Sequence, residues 1–207
     1  MSSSAQLATP STGGMEYFIT PEAPYTPSDP NYWGSTGLGP PVRIGTVMPL
    51  TESRNVEFKK GGALYSQRNM KEQICRYGSA FLNSGGGVMY FGVLDNGVIE
   101  GITLSTHQID RIAKQIEDIF LQFDPCVSKE FYELSFTPCN IYGMYVVGLS
   151  VRAGKEDEVY SDAFSKMYIK RDGSIHGPLW PRDIKEIVLD KLEIKYKNQQ
   201  QQSKTSS

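Results

Sequence analysis

Two glutamates and a lysine at the start of the first predicted strand have the residue types and spacing for metal chemistry. Apolar and charged side chains alternate along residues 56–59, which predicts a strand with one core-facing side and one charged side. Glu57 and Lys59 share the charged side. Glu52 precedes Glu57 by five positions, an odd spacing, so the chain must bend before the strand if the two carboxylates are to meet. Converging carboxylates could hold a divalent cation; the alternative is that these are ordinary solvated strand residues.

A third carboxylate follows the next buried segment. Residues 88–94 form a nearly continuous apolar run, typical of a central strand. Asp95 comes directly after it and opens Asp-Asn-Gly, a favoured turn that needs no catalytic purpose. If the two strands are neighbours, Asp95 joins Glu52 and Glu57. Three carboxylates can bind Mg²⁺ or Mn²⁺, which polarises a phosphodiester and activates water.

A basic and aromatic segment near the C-terminus has the composition of a nucleic-acid contact. Lys166, Tyr168 and Lys170 alternate along one predicted strand, and Arg171 lies at the turn that follows. Cationic groups suit phosphates, and an aromatic ring suits a stacked base. A solvated edge strand explains the same pattern equally well. The net charge of −2 excludes a protein that coats nucleic acid by bulk charge, so any such site must be a local patch.

Several familiar sites are not supported by the sequence. The glycine run 85–87 follows a predicted helix and precedes a strand, which is the reverse of a phosphate-binding P-loop, so no ATP site is expected. Cys75, Cys126 and Cys139 lack C-x-x-C spacing, which argues against a disulfide framework and a structural zinc site. Free cysteines indicate a reducing, intracellular compartment, and the cytoplasm is the expected one.

Composition divides the chain into three parts. Residues 1–49 are rich in Pro, Ser, Thr and Gly and nearly free of charge, which predicts a flexible leader. Residues 50–197 have the apolar periodicity of one folded domain. Residues 198–207 are a polar run, interpreted as a disordered tail. No apolar stretch is long enough for a membrane span.

The predicted order of elements in the domain is strand–helix–strand–strand–helix, then four strands and a last helix. Helices are expected at 69–83, after Ser105 and from Pro181 onward, and short strands at 158–161 and 166–171. This order predicts an α+β fold, with about three helices flanking a mixed, mostly antiparallel sheet.

Three segments in this order resemble the landmark motifs of the Schlafen AlbA-type domain: 52–59, 79–95 and 168–174. In the RNA-cleaving Schlafens the resemblance implies a metal-dependent endoribonuclease site built from three acidic residues. The matching positions here are Glu52, Glu57 and Asp95. Lys59 matches the lysine of the first motif, which could neutralise a phosphate. Small structured RNA, such as tRNA or a small-RNA precursor, is the implied substrate.

Two departures from the family pattern shape the functional hypotheses. Catalytic Schlafen cores contain two lobes, whereas this chain has one, so a homodimer or a heteromer with a related chain is implied. The family's zinc site is also missing. The leading hypothesis is a divalent-metal-dependent endoribonuclease that works as such an assembly. The alternatives are a non-catalytic RNA- or DNA-binding subunit that scaffolds an active partner, and an interaction module that acts through its Pro-rich leader.

Overall fold

The computed structural model describes residues 42–205, which form an α+β fold with a mixed five-stranded sheet, a small hairpin and four helices. This confirms the predicted fold class. The strands of the sheet are β1 (Val56–Lys59), β2 (Gly87–Phe91), β3 (Ile102–Thr103), β4 (Tyr132–Pro138) and β5 (Met144–Val151), and the hairpin strands are β6 (Ile169–Arg171) and β7 (Ser174–His176). The helices are α1 (Gly62–Tyr65), α2 (Gln67–Leu82), α3 (Thr106–Phe120) and α4 (Pro181–Thr205), with one 3-10 turn at Lys129–Phe131.

Strand β1 forms one edge of the sheet. It pairs in parallel with β2, with Val56 opposite Val88 and Lys59 opposite Phe91. Strand β2 pairs antiparallel with β5, which also pairs antiparallel with β3 and β4. The first two landmark motifs therefore lie on neighbouring strands, which is the condition on which the three-carboxylate hypothesis depends.

The two faces of the sheet are covered by different parts of the chain. Helices α2 and α3 cover one face and pack on Met89 and Phe91. The other face carries Val56 and Phe58, and it is covered by residues 42–50 together with the turn at 93–99. The predicted alternation of β1 is thus confirmed: its apolar side chains enter one core cluster, and its charged side chains face α2.

The helix boundaries follow from local hydrogen bonding. Ser105 caps α3 through a capping box with Gln108, which satisfies donors that the helix leaves free. The end of α2 uses the glycine run: the Gly86 N–H donates to the Phe81 carbonyl over 3.1 Å, and Gly86 has φ +76°. This left-handed conformation favours glycine, so the run ends a helix as its position predicts.

Three parts of the chain differ from the prediction. Residues 158–161 form no strand and contribute only an isolated bridge between Ser161 and Asp124. Helix α4 runs to Thr205 and so continues into the predicted polar tail. Of the predicted leader, residues 42–49 pack on the sheet through bridges such as Val42 to Cys139, whereas residues 1–41 lie outside the described part. Within residues 42–205, no helix combines the length and apolarity that crossing a membrane requires.

Candidate functional site

Glu57 is the centre of a polar cluster between β1, α2 and β6. Its Oε1 atom accepts hydrogen bonds from the Tyr77 hydroxyl and from Lys59 Nζ, each at 2.5 Å. Its Oε2 atom accepts from Lys170 Nζ at 3.2 Å. Both carboxylate oxygens therefore already have donors within the chain.

The cluster is largely shielded from solvent and carries an excess positive charge. The side chain of Lys170 is 1% exposed, that of Glu57 14% and that of Lys59 20%. One carboxylate faces two ammonium groups, which also lie 4.8 Å (Lys59) and 5.7 Å (Lys170) from the centre of the Tyr77 ring. The ring adds a favourable cation–π contribution to each. The second ammonium charge is thus held in place without a second carboxylate.

The pKa values in the cluster follow from these contacts. Burial acts to raise the pKa of Glu57, but hydrogen bonds from Lys59 and Tyr77 and the charges of Lys59 and Lys170 outweigh it, so the pKa lies below its ordinary value of 4.5. Burial raises the pKa of Tyr77, and its hydrogen bond to Glu57 raises it further. Glu57 is therefore held ionised and Tyr77 protonated.

Glu52 lies at the free edge of β1. The expected bend is present, because the Ser53 N–H donates to the Val56 carbonyl over 3.0 Å. The Glu52 carboxylate then accepts from the Phe58 N–H at 3.0 Å and satisfies a donor on the edge strand. The charge of Glu52 also contributes to raising the pKa of Tyr77. The structure thus brings Glu52 into the electrostatic surroundings of the Glu57 cluster.

Asp95 lies in the turn that follows β2. It begins the tight turn from Leu94 to Val98 and is exposed. A Cβ atom at Gly97 in this turn would lie 3.8 Å from Phe58, whose side chain points away from Glu57 along the alternating strand. Gly97 of this turn is therefore packed on the Phe58 face.

The contacts of Glu57 bear on the predicted three-carboxylate metal site. Among residues 42–205, no group of three or more His, Cys, Asp or Glu side chains is positioned to hold a metal ion. The ammonium groups of Lys59 and Lys170 stand where a cation would bind to Glu57, and like charges repel. Binding of Mg²⁺ or Mn²⁺ by Glu52, Glu57 and Asp95 stays a prediction, and it requires a different arrangement of these side chains.

The three predicted RNA contacts have different surroundings. Lys59 and Lys170 are directed at Glu57. Arg171 lines a cavity of about 460 Å³ between the β6–β7 hairpin and the start of α4. Three carboxylates also line this cavity: Asp183, Glu186 and Asp190. Their negative charge makes the cavity itself a poor phosphate site. Phosphate binding by Lys59, Lys170 and Arg171 stays a prediction.

Two parts of this region were missed by sequence reasoning. Tyr77 lies in the polar cluster, yet its position in the sequence indicates only an aromatic residue on an amphipathic helix. Asn83, at the end of α2, donates to the Tyr160 and Tyr168 carbonyls and accepts from the Tyr160 N–H. The signal that could have found it is the position of the asparagine within the second landmark motif, two residues before the glycine run.

Comparison with known proteins agrees with the fold. Residues 52–178, more than half of the chain, match the family model described as Schlafen, AlbA_2. The chain therefore belongs to the Schlafen AlbA_2 family.

A solved structure of the DIP2311 protein from Corynebacterium diphtheriae is similar at 18% sequence identity with a TM-score of 0.46. The match covers 64% of this chain and 23% of that one, so this chain spans about a quarter of the length of that protein.

Proposed function

We propose that this chain is an RNA-binding Schlafen lobe that works beside a second lobe from another copy or a related chain. One observation favours binding over cleavage: both oxygens of Glu57 are bonded to Lys59, Tyr77 and Lys170. The most buried of the three predicted site carboxylates is thus used to hold two cations of the protein itself.

The charges on α2 support RNA as the ligand. The sequence of this helix contains three cationic side chains, Arg68, Lys71 and Arg76, and a single carboxylate, Glu72. Glu72 is paired with Arg68 over 3.0 Å, which leaves an excess of positive charge on the helix. Lys60, exposed directly after β1, adds to it. Such a local patch binds phosphates even when the net charge of the chain is slightly negative.

Metal-dependent cleavage of small structured RNA, such as tRNA or a small-RNA precursor, is the second candidate. Its support is that Glu52 and Glu57 both act on Tyr77, and that the acidic positions of the family pattern are present in order. Cleavage requires Glu57 to be released by Lys59 and Lys170. It also requires a third ligand, from Asp95 after rearrangement or from a partner chain.

Incubation of the full chain with labelled tRNA, in Mn²⁺ or in EDTA, separates the two candidates. The binding proposal predicts complex formation that EDTA leaves unchanged, with intact RNA recovered. Suitable variants are Glu52→Gln and Asp95→Asn, because both side chains are exposed and the changes preserve size and folding. Metal-dependent cutting that these variants abolish would establish the nuclease instead.

The assembly is tested by measuring mass in solution with and without RNA. A dimer that forms at micromolar concentration or on RNA is the expected result for self-association. A strict monomer that nevertheless binds RNA would assign the second lobe to a different chain.

A further inference from the structure

The loop at residues 162–166 presents an aromatic ring between two ammonium groups, on a surface outside the Glu57 cluster. This ring belongs to Phe164, a residue that is 49% exposed. Lys71 Nζ lies 5.1 Å from the centre of its ring, and Lys166 Nζ lies 6.0 Å from it. Lys71 comes from α2, so two separate parts of the chain converge on this ring.

The loop is held in one conformation by a buried carboxylate. Asp162 is 3% exposed, and its Oδ1 atom accepts from the Phe164 and Lys166 N–H groups, both at 2.8 Å. The Asp162 N–H donates to the Lys166 carbonyl at 2.7 Å. Ser165 between them has φ +57°, a conformation that non-glycine residues rarely adopt. The backbone that carries the exposed ring is therefore fixed before any ligand binds.

The half-exposed ring of Phe164 is accessible to a ligand, and two ammonium groups lie beside it. An aromatic ring stacks on any nucleobase, and adjacent cations contact the phosphates on either side of the base. A pre-positioned ring also reduces the entropy lost on binding.

From this geometry we propose that Phe164 is a stacking site for one unpaired base of RNA, with Lys71 and Lys166 contacting the neighbouring phosphates. The proposal rests on the proposed RNA-binding function and adds to it the feature that is recognised, an unstacked base. Lys71, which now bonds Gln122 Oε1 at 2.8 Å, exchanges this partner for phosphate when RNA is bound. Duplex RNA, whose bases are already stacked, binds this site less well.

The test is binding of a fluorescently labelled single-stranded RNA of about 12 nucleotides, within the site sizes of single-strand binding modules. Phe164→Ala is expected to weaken binding by roughly ten-fold or more, and Phe164→Trp to preserve it. A 2-aminopurine in the RNA reports stacking directly: its fluorescence falls on binding to the wild type and does not fall with Phe164→Ala. Lys71→Gln and Lys166→Gln should each reduce the salt slope of binding by about 0.7.

Tyr142→Ala is the matched control, because it removes another exposed aromatic ring, at the tip of the β4–β5 hairpin. Equal affinity of Phe164→Ala and wild type would overturn the stacking site while leaving RNA binding intact. Absence of RNA binding by the wild type would remove both proposals. Capture of an acidic peptide in place of RNA, with the same dependence on Lys71 and Lys166, would assign the site to a protein ligand and also overturn the proposal.

Discussion

The ammonium nitrogen of Lys170 lies 3.2 Å from Oε2 of Glu57, and this contact joins residues that are 113 positions apart. It ties the β6–β7 hairpin to the edge strand of the main sheet. Lys170 is fixed at both ends, because its backbone N–H donates to Ser84 Oγ at 2.9 Å and its Nζ also donates to the Gly173 carbonyl at 3.0 Å. The third landmark segment is therefore structurally coupled to the first.

Substitution of Glu57 should destabilise the fold more than substitution of Lys170. Glu57→Gln leaves the buried Lys170 charge without its carboxylate, so we expect a loss of about 3 kcal/mol in the free energy of unfolding. Lys170→Met leaves Glu57 with Lys59 and Tyr77, and should cost less, about 1–2 kcal/mol. Urea denaturation of both variants measures these losses.

The double variant, Glu57→Gln with Lys170→Met, isolates the contact. We expect it to be less destabilised than the sum of the two single changes, because the second substitution removes the charge that the first left unpaired. Strict additivity would show that the two side chains do not interact in solution.

Acidification should weaken the fold through Glu57. Its pKa in the folded chain lies below the ordinary value of 4.5, so its contribution is fully present above that value and is lost as pH falls through the folded pKa. Urea denaturation should be measured at a series of pH values from neutral to pH 3. The urea concentration at the midpoint should decrease once the pH is below about 4.5.

Comparison with Glu57→Gln separates this effect from the lowered pKa values of exposed carboxyls such as Asp157 and Glu158. The variant should lose less stability on acidification than the wild type does. Parallel pH profiles for the two proteins would assign the acid sensitivity to other carboxyls.

Asn83 should contribute more to stability than its partial exposure to solvent suggests. Its amide nitrogen donates to the Tyr160 carbonyl at 2.7 Å and to the Tyr168 carbonyl at 3.1 Å, and its oxygen accepts from the Tyr160 N–H at 2.7 Å. Asn83→Ala leaves these groups short of partners, at a cost of about 2 kcal/mol in the free energy of unfolding.

Asn69→Ala serves as the control on the same helix. Asn69 is exposed, and its replacement should change stability by no more than about 0.5 kcal/mol. Thermal denaturation of both variants checks the difference. Similar melting temperatures would show that the bonds from Asn83 are readily replaced by water.

The thiols should differ sharply in reactivity. Burial raises the pKa of Cys75 to about 11 and also raises that of Cys139, so both are protonated and shielded at neutral pH. Cys126 is exposed. Under native conditions a thiol reagent should modify one cysteine quickly, and Cys126→Ser should abolish this fast phase. A fast phase that survives the substitution would mean that the core opens to the reagent.

The parts of the fold that sequence predicted are those set by local periodicity. Alternation in β1 follows from the two-residue strand repeat, and α3 follows from its apolar spacing together with the cap at Ser105. These features depend on residues within a few positions of one another. The pairing of β1 with β2 joins distant residues, and from the sequence it could be stated only as a condition.

The candidate site was less predictable because its contacts are long-range. Nothing local indicates that Lys170 is buried against Glu57, or that Tyr160 bonds to Asn83 instead of joining a strand. The turn that carries Asp95 packs on Phe58 through Gly97, which periodicity along β2 does not determine. Spacing in sequence therefore predicts candidate acidic residues but not their separation in space.

The glycine run at the end of α2 offers a test in which two adjacent residues should behave in opposite ways. Gly86 has φ +76°, and a Cβ atom there would lie 2.9 Å from the Val151 carbonyl oxygen and 3.0 Å from the Ala153 nitrogen. Gly86→Ala therefore combines an unfavourable backbone conformation with contacts to backbone atoms that cannot move aside, and should cost about 2 kcal/mol or more.

Gly85 has open space around its Cα atom. Gly85→Ala should therefore be neutral, or stabilising by about 0.4–1 kcal/mol, because alanine reduces the entropy of the unfolded chain. Urea denaturation of the two variants provides the comparison. If Gly86→Ala were as stable as Gly85→Ala, the close contact of Gly86 with the backbone at the end of β5 would not exist in solution.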